Sequence, residues 1–300
     1  MGADCKSVGF AFEGSNPSPA TQRGRPFGGG PESSADHYRG VMAQPSRLIE
    51  VAPGTWVATS RRYQTTSTVL LDGLGGAIVV DPAWDPDELA AIPSDLGALG
   101  VTCVAGLATH EHYDHVMWHP GLGDVPRWSS PGTVTHLSQE RDRLLAPLAE
   151  YLTPDLIDIA GRLAPLPDGT VPWRGPQARC VVHDAHAPAH LAVIVEETGV
   201  LIAGDMLSDV ELPMPAKEDR SLEPYLTGLE SLRAAVGSAR ILIPGHGTPT
   251  RDPAARFDAD LRYLDALLHG RASDDPRVLD PDNAELHRAN IERAGATPRS

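Results

Sequence analysis

One device occurs twice in this chain. An apolar run, a tight turn and a second apolar run stopping at an aspartate form TSTVLLDGLGGAIVVD, which ends at Asp81. The same order returns in LAVIVEETGVLIAGD, which ends at Asp205. Short apolar runs bounded by turn residues read as buried strands. The turns fall at Asp72–Gly76 and Glu197–Gly199. Each copy is followed by a helical pattern, Pro86–Leu99 (interrupted at Pro93) and Leu222–Val236. Each helix is followed by another apolar run entering a histidine-bearing loop, VTCVAGLATH and ARILIPGHG. The two halves share this order without close sequence identity. Strands alternating with helices, with hairpins mixed in, predict an α/β layered fold with mixed sheets.

The flanking segments differ in character. Residues 1–45 are rich in Gly, Pro and Ser and lack apolar periodicity, which predicts a disordered extension and makes Met42 a candidate start. RLIEVAPGTWVATS reads as a hairpin breaking at Pro53–Gly54. The folded domain is expected over 46–270. Within it, 116–180 is an excursion between the halves, with helices over Thr135–Leu145 and Tyr151–Leu163 and a Pro/Gly-rich loop over Leu166–Arg179. Pro147 should stop the first of these helices. Trp118, Trp128, Tyr151 and Trp173 lie in the excursion, which is expected to cover a substrate pocket. Arg256–Leu268 has apolar residues at helical spacing. Residues 271–300 read as a polar tail with a short peripheral helix near Asn283–Arg293.

Charge and cysteine content narrow the partners. The chain has 300 residues, 25 Lys+Arg against 40 Asp+Glu, and a net charge of −15. Beyond Arg61–Arg62 it has no basic cluster for a phosphate backbone, so no nucleic-acid partner is expected. No run reaches the roughly 18 apolar residues of a membrane span, and the N-terminus lacks the apolar core of a secretory signal. Cys5, Cys103 and Cys180 make no disulfide framework, so a cytoplasmic location is expected.

The chemistry concentrates in His110-Glu111-His112-Tyr113-Asp114-His115, directly after the strand Val101–Ala108. Ligand sites in open α/β sheets form beyond the carboxyl ends of strands. Imidazole with carboxylate suits Zn, Fe, Mn or Co. So short a loop cannot aim all four groups at one ion. The spacing points to two ions side by side, with His110 and His112 toward one and Asp114 and His115 toward the other. Further ligands are expected from later strand ends: His186 (with His183 and His190 as neighbours), Asp205 and His246. Gly245 and Gly247 let the backbone bend around His246. His119, His183 and His190 are candidates for outer contacts; His37, His136, His269 and His287 read as solvated. Cys103 reads as buried and inert.

In THEHYDH and the later His186, Asp205 and His246, the chain resembles the metallo-β-lactamase-fold hydrolase superfamily over roughly Leu48 to Leu268. The resemblance implies a four-layer αββα sandwich with two mixed β-sheets. It implies one metal site from His110, His112 and His186 and a second from Asp114, His115 and His246. Asp205 would bridge them, and Asp81 would orient a ligand histidine. Two Zn ions are the implied cofactors, with Fe or Mn as substitutes. The implied activity is hydrolysis of a small ester, thioester or lactone by a hydroxide held between the ions, with Asp114 catalytic in orienting it and taking up its proton. The β-lactamases proper carry Cys or Ser where this chain has Asp205. Members with glyoxalase II or lactonase activity carry the full Asp-containing set. The alternative within the fold is a mononuclear non-haem iron persulfide dioxygenase; a phosphodiesterase fits poorly with the charge.

Overall fold

A computed structural model of the chain describes residues 47–298. The N-terminal extension 1–45, with Cys5, His37 and Met42, lies outside the described residues. Eleven strands form two sheets. The first contains β1 (Ile49–Ala52), β2 (Thr55–Thr59), β3 (Thr66–Leu71), β4 (Gly76–Val80), β5 (Thr102–Leu107), β6 (Arg127–Ser129) and β7 (Ala164–Pro165), in that spatial order. Its first three pairings are antiparallel and the rest parallel. The second contains β8 (Ala178–His183), β9 (His190–Val195), β10 (Val200–Gly204) and β11 (Ile241–Pro244), in the order β11-β10-β9-β8. Here β10 and β11 run parallel and the other pairs antiparallel. Both sheets are mixed. The helices are α1 (Pro86–Ala98), α2 (Pro131–Leu145), α3 (Pro154–Ile159), α4 (Glu223–Ser238), α5 (Pro253–Leu268) and α6 (Ala284–Ala296).

The repeated device becomes the hairpins β3–β4 and β9–β10. Leu70 pairs with Ile78 and Ile202 with Val193. Gly199 turns the second hairpin at a φ of 68°, where a side chain would be strained. Alternate residues go to opposite faces of a strand, and here both faces are covered. Ile78, Val80 and Leu107 of the first sheet pack with Leu191, Val193, Val200, Ile202 and Ile243 of the second. The outward Val69, Ala77 and Val79 pack with Leu89, Ile92 and Leu96 of α1. Leu201, Ala203 and Leu242 pack with Leu229 and Leu232 of α4 and Leu264 of α5. The result is helix, sheet, sheet, helix: the four layers that the resemblance implies. Strands buried on both faces need continuous apolar runs, and each fully buried Val, Ile or Leu contributes about 1.5–3 kcal/mol.

Some elements differ from the sequence reading. Pro93 does not break α1, because Leu89, Ile92 and Leu96 still bury their side chains on one face. In the excursion, α3 is six residues rather than thirteen; it starts at Pro154 and the chain turns at Gly161, whose φ is 65°. The excursion also adds β6 and β7 to the large sheet, strands too short to show a period. Trp118 packs in the core under α1, and Trp128 and Trp173 pack against the core between the sheets. The C-terminal segment is not peripheral: Arg277, Asn283 and Asn290 are buried. No helix among the described residues is long and apolar enough to cross a membrane.

Burial sets the behaviour of the two described cysteines. It pushes the Cys103 thiol up to about 11 and the Cys180 thiol up to about 12. Thiolate is the reactive form, so at pH 8 both should label more than about a hundredfold slower than a free cysteine and react readily once the chain is unfolded. Rapid labelling of either in the native protein, followed by mass spectrometry, would refute this.

Candidate metal centre

Every candidate ligand lies just beyond a strand end. The loop after β5 carries His110 to His115, with His110, Asp114 and His115 fully buried. His186 sits between β8 and β9. Asp205 follows β10 and His246 follows β11. The ends of β10 and β11 approach closely: the Gly245 N–H donates to Gly204 O at 2.5 Å. A Cβ at Gly204 would lie 2.3 Å from His190 Nε2, and one at Gly245 would lie 2.1 Å from Asp205 Oδ1. Only glycine fits these two positions, which explains why each ligand follows one.

The seven side chains converge as two adjoining sets. His110, His112, His186 and Asp205 can each offer a ligand atom within 4.8 Å of the others, and so can Asp114, His115 and His246. His112 Nδ1 lies 3.0 Å from both His110 Nε2 and His186 Nε2. His246 Nε2 lies 3.4 Å from both His115 Nε2 and Asp114 Oδ2. The Asp205 carboxylate lies between the sets, at 3.5 Å from His110 Nε2, 3.3 Å from His186, 3.0 Å from His115 and 3.2 Å from His246. Donors about 2.0–2.1 Å from one ion stand about 2.9–3.4 Å apart, so these spacings suit metal ligation.

Outer hydrogen bonds decide what faces the centre. His186 Nδ1 donates to Met214 O at 3.0 Å and His246 Nδ1 to Tyr63 O at 2.7 Å. A carbonyl only accepts, so in each neutral ring Nε2 carries the lone pair. His115 Nδ1 donates to Asp81 Oδ2 at 3.0 Å. Thr109 Oγ1 donates to Asp81 Oδ2 at 2.7 Å and so accepts from His110 Nδ1 at 3.0 Å. Asp81 thus orients two histidines, and its φ of 50° places strain at the end of β4. The lone pairs of His110, His186 and His246 and the carboxylates of Asp114 and Asp205 face one another and repel unless positive charge, a proton on His115 or a metal cation, lies between them. The donor set therefore fits divalent metal.

Electrostatics follow the same pattern. Burial, then the neighbouring His115, holds His110 well below its ordinary value, so its ring is neutral. Burial opposes charge on His115, but Asp205, Asp114 and Asp81 together hold it well above the ordinary value. Burial also raises Glu111, whose Oε1 is 3.1 Å from His136 Nδ1. Thr65 and Glu211 lack any sequence signal, whereas His183 and His190 are among the candidates for outer contacts. Thr65 Oγ1 donates to Asp114 Oδ2 at 3.3 Å. His190 Nε2 accepts from the Asp205 N–H at 3.2 Å, and its ring stacks between His110 and His183. Burial holds His190 well below its ordinary value and His183 down at about 4. Glu211 Oε1 lies 3.9 Å from His246 Nδ1. His119 accepts from the Gly121 N–H, His269 pairs with Asp265 and His287 bonds Tyr263, so these three serve local structure. A cavity of about 470 Å³ is lined by His136, Glu140 and Arg143 of α2 and by Asp184 and Pro188 around His186. Glu218 and Asp219 line its remaining wall.

These bonds have measurable consequences at Asp81 and Asp209. Asp81→Asn tolerates the left-handed backbone but presents an amide where His115 and Thr109 need an acceptor. Metal affinity, measured by chelator competition, should fall about 10- to 100-fold; an unchanged affinity would refute the orienting role. Asp209 clamps Thr248 behind His246. Burial raises its pKa, but hydrogen bonds from Arg256 and Thr248 outweigh this and hold it at about 2 against the usual 3.8. Its stabilisation is present above the usual value and disappears as pH falls through the lower one. In acid titrations, the stability gap between wild type and Asp209→Asn should narrow between about pH 4 and pH 2; a gap independent of pH would contradict this.

Known proteins share this architecture. The fold is similar to a beta-lactamase domain protein from Burkholderia ambifaria, with TM-score 0.58, 21% identity, and coverage of 85% of this chain and 88% of that one. It is also similar to a metallo-beta-lactamase family protein from Thermus thermophilus, with TM-score 0.55, 21% identity, and coverage of 81% and 91%. A metallo-beta-lactamase from Pontibacter korlensis gives TM-score 0.52 at 16% identity, covering 71% and 96%. At these identities the likeness shows the fold. Residues 61–262 match the family model of the metallo-beta-lactamase superfamily, which spans both hairpins and all seven candidate ligands. The chain therefore belongs to the metallo-β-lactamase superfamily.

Proposed function

We propose that this chain is a dinuclear metal-dependent hydrolase acting on the carbonyl of a small ester, thioester or lactone. The observation that carries the reading is the position of Asp205, whose carboxylate lies within 3.5 Å of an Nε2 atom from both ligand sets. His110, His112 and His186 would hold one ion, Asp114, His115 and His246 the other, and Asp205 both. Bound divalent ions supply Lewis acidity, which lowers the pKa of water toward about 7 and polarises a carbonyl oxygen.

The chain's own groups supply the rest. Asp114 orients the attacking water and holds its proton on a carboxylate oxygen; Thr65 Oγ1 keeps that carboxylate in place. The cavity beside α2, lined by Asp184 and Pro188 on either side of His186, would give room for the acyl or leaving group. Its walls carry Glu140, Asp184, Glu218 and Asp219 against a single Arg143, which supports a neutral or cationic small molecule over a phosphodiester. Asp205 in place of the Cys or Ser of β-lactamases proper supports acyl esters over β-lactams. A mononuclear iron dioxygenase would require the first set alone. The equal burial of Asp114, His115 and His246 supports two ions.

Elemental analysis of protein purified without added metal should find two Zn, Fe or Mn ions per chain. A panel of esters, thioesters and lactones should then show turnover that His112→Ala lowers by at least about a hundredfold, together with metal content. One iron per chain with oxygen uptake on a persulfide would replace this reading with the dioxygenase. Full turnover by metal-depleted His112→Ala would overturn it.

A further inference from the structure

Residues 208–213 form neither helix nor strand, so their carbonyls cannot be paired within a ladder. Buried carbonyls must then find partners elsewhere. Three side chains from the C-terminal segment take four of them. Arg277 Nη1 donates to Ser208 O and Glu211 O, each at 2.8 Å. Asn283 Nδ2 donates to Val210 O at 2.9 Å, and Asn290 Nδ2 to Pro213 O at 2.6 Å. Arg277 is itself fixed by a forked pair of bonds to Asp275, at 3.0 and 2.7 Å, and by Asp260 at 2.9 Å. All three donors lie beyond residue 262, where the match to the family ends.

The loop they hold reaches both ligand sets. It starts three residues after Asp205. Ser208 Oγ donates to His246 O at 2.9 Å, and the next residue past the loop, Met214, offers the carbonyl that fixes His186 Nδ1. A shift of this loop would rotate His186 and displace His246 together. We propose that Arg277, Asn283 and Asn290 are positioning residues of the metal centre, acting through the backbone of Ser208–Met214 on Asp205, His186 and His246. This rests on the reading of the centre as a metal site.

The test uses the full chain and Zn²⁺ as probe. Asn283→Ala removes the bond to Val210. Arg277→Gln with Asp260→Asn removes the fork to Ser208 and Glu211 without leaving a buried carboxylate at residue 260 unpaired. His287→Ala is the control: it removes a bond to Tyr263 of α5, which bonds Asn290 but neither Asn283 nor Arg277, and His287 makes no bond to the loop. Melting of the metal-free proteins reports folding, chelator competition reports affinity, and the visible spectrum of the Co²⁺ form reports ligand geometry. In the first two variants affinity should fall about tenfold or more and the Co²⁺ spectrum should change, while metal-free melting stays within the range set by His287→Ala. His287→Ala should keep wild-type affinity and spectrum. Wild-type affinity and spectrum in both loop variants would overturn the proposal and leave the metal centre standing. Affinity lost equally in His287→Ala would also overturn it, by reducing the effect to general destabilisation. A wild-type chain that binds no Zn²⁺ or Co²⁺ would overturn the metal reading itself.

Discussion

The rest of the structure depends on one electrostatic constraint: four imidazole Nε2 atoms stand 3.0–3.5 Å from one buried carboxylate, Asp205. With Nδ1–H engaged outward, His110, His186 and His246 turn Nε2 lone pairs toward this carboxylate, while the three carboxylates around His115 favour a positive charge there. Burial raises the cost, because the low-dielectric interior strengthens every repulsion. Such a cluster persists only if two things hold. Cations must balance it when they are present, and rigid elements must hold it when they are not. The double sheet supplies the rigidity. The candidate ligands at the ends of β5, β10 and β11 are anchored by strand ends buried on both faces, so none of them can retreat into solvent.

The two halves of the chain contribute unequally to this centre, although they share an order of elements. Each hairpin ends in an aspartate. Asp81 accepts three hydrogen bonds, from the Thr109 N–H and Oγ1 and from His115 Nδ1. Those bonds turn it into an orienting group. Asp205 follows a glycine that lets its backbone lie against His190, and its carboxylate faces the histidines directly. The same residue type at the same topological position therefore takes two roles, set by which donors the neighbouring loop supplies.

Much of this was legible in the sequence, because the candidate ligands are side chains placed beside strong apolar runs. His110 to His115 are contiguous, and His186, Asp205 and His246 each sit at a turn signal. The layered fold was legible for the same reason: strands buried on both faces leave continuous apolar runs. What stayed hidden had no side-chain signature. Met214 O and Tyr63 O orient two histidines as backbone atoms, which any residue could supply. The strands β6 and β7 are too short to show a period. The helix read over Tyr151–Leu163 was cut short by Pro154 and Gly161, whose local geometry outweighed a helical composition.

The burial of the C-terminal segment is hidden from the sequence for a more general reason. Its composition is polar, and polar residues are mostly exposed, so a solvated tail is the natural inference. But a guanidinium can be buried when its fork is met by carboxylates and carbonyls of matching geometry. Arg277 meets Asp275, Asp260 and two loop carbonyls, and Asn283 and Asn290 meet two more. Their partners are 15 or more residues away in sequence, apart from Asp275 and the Arg277 carbonyl that Asn283 also bonds, so no local pattern marks them. Loops beside a metal site must be irregular to aim their ligands, and irregular backbone leaves carbonyls unpaired. Buried polar side chains from a distant segment answer that need, and here they come from the part of the chain that looks least like core.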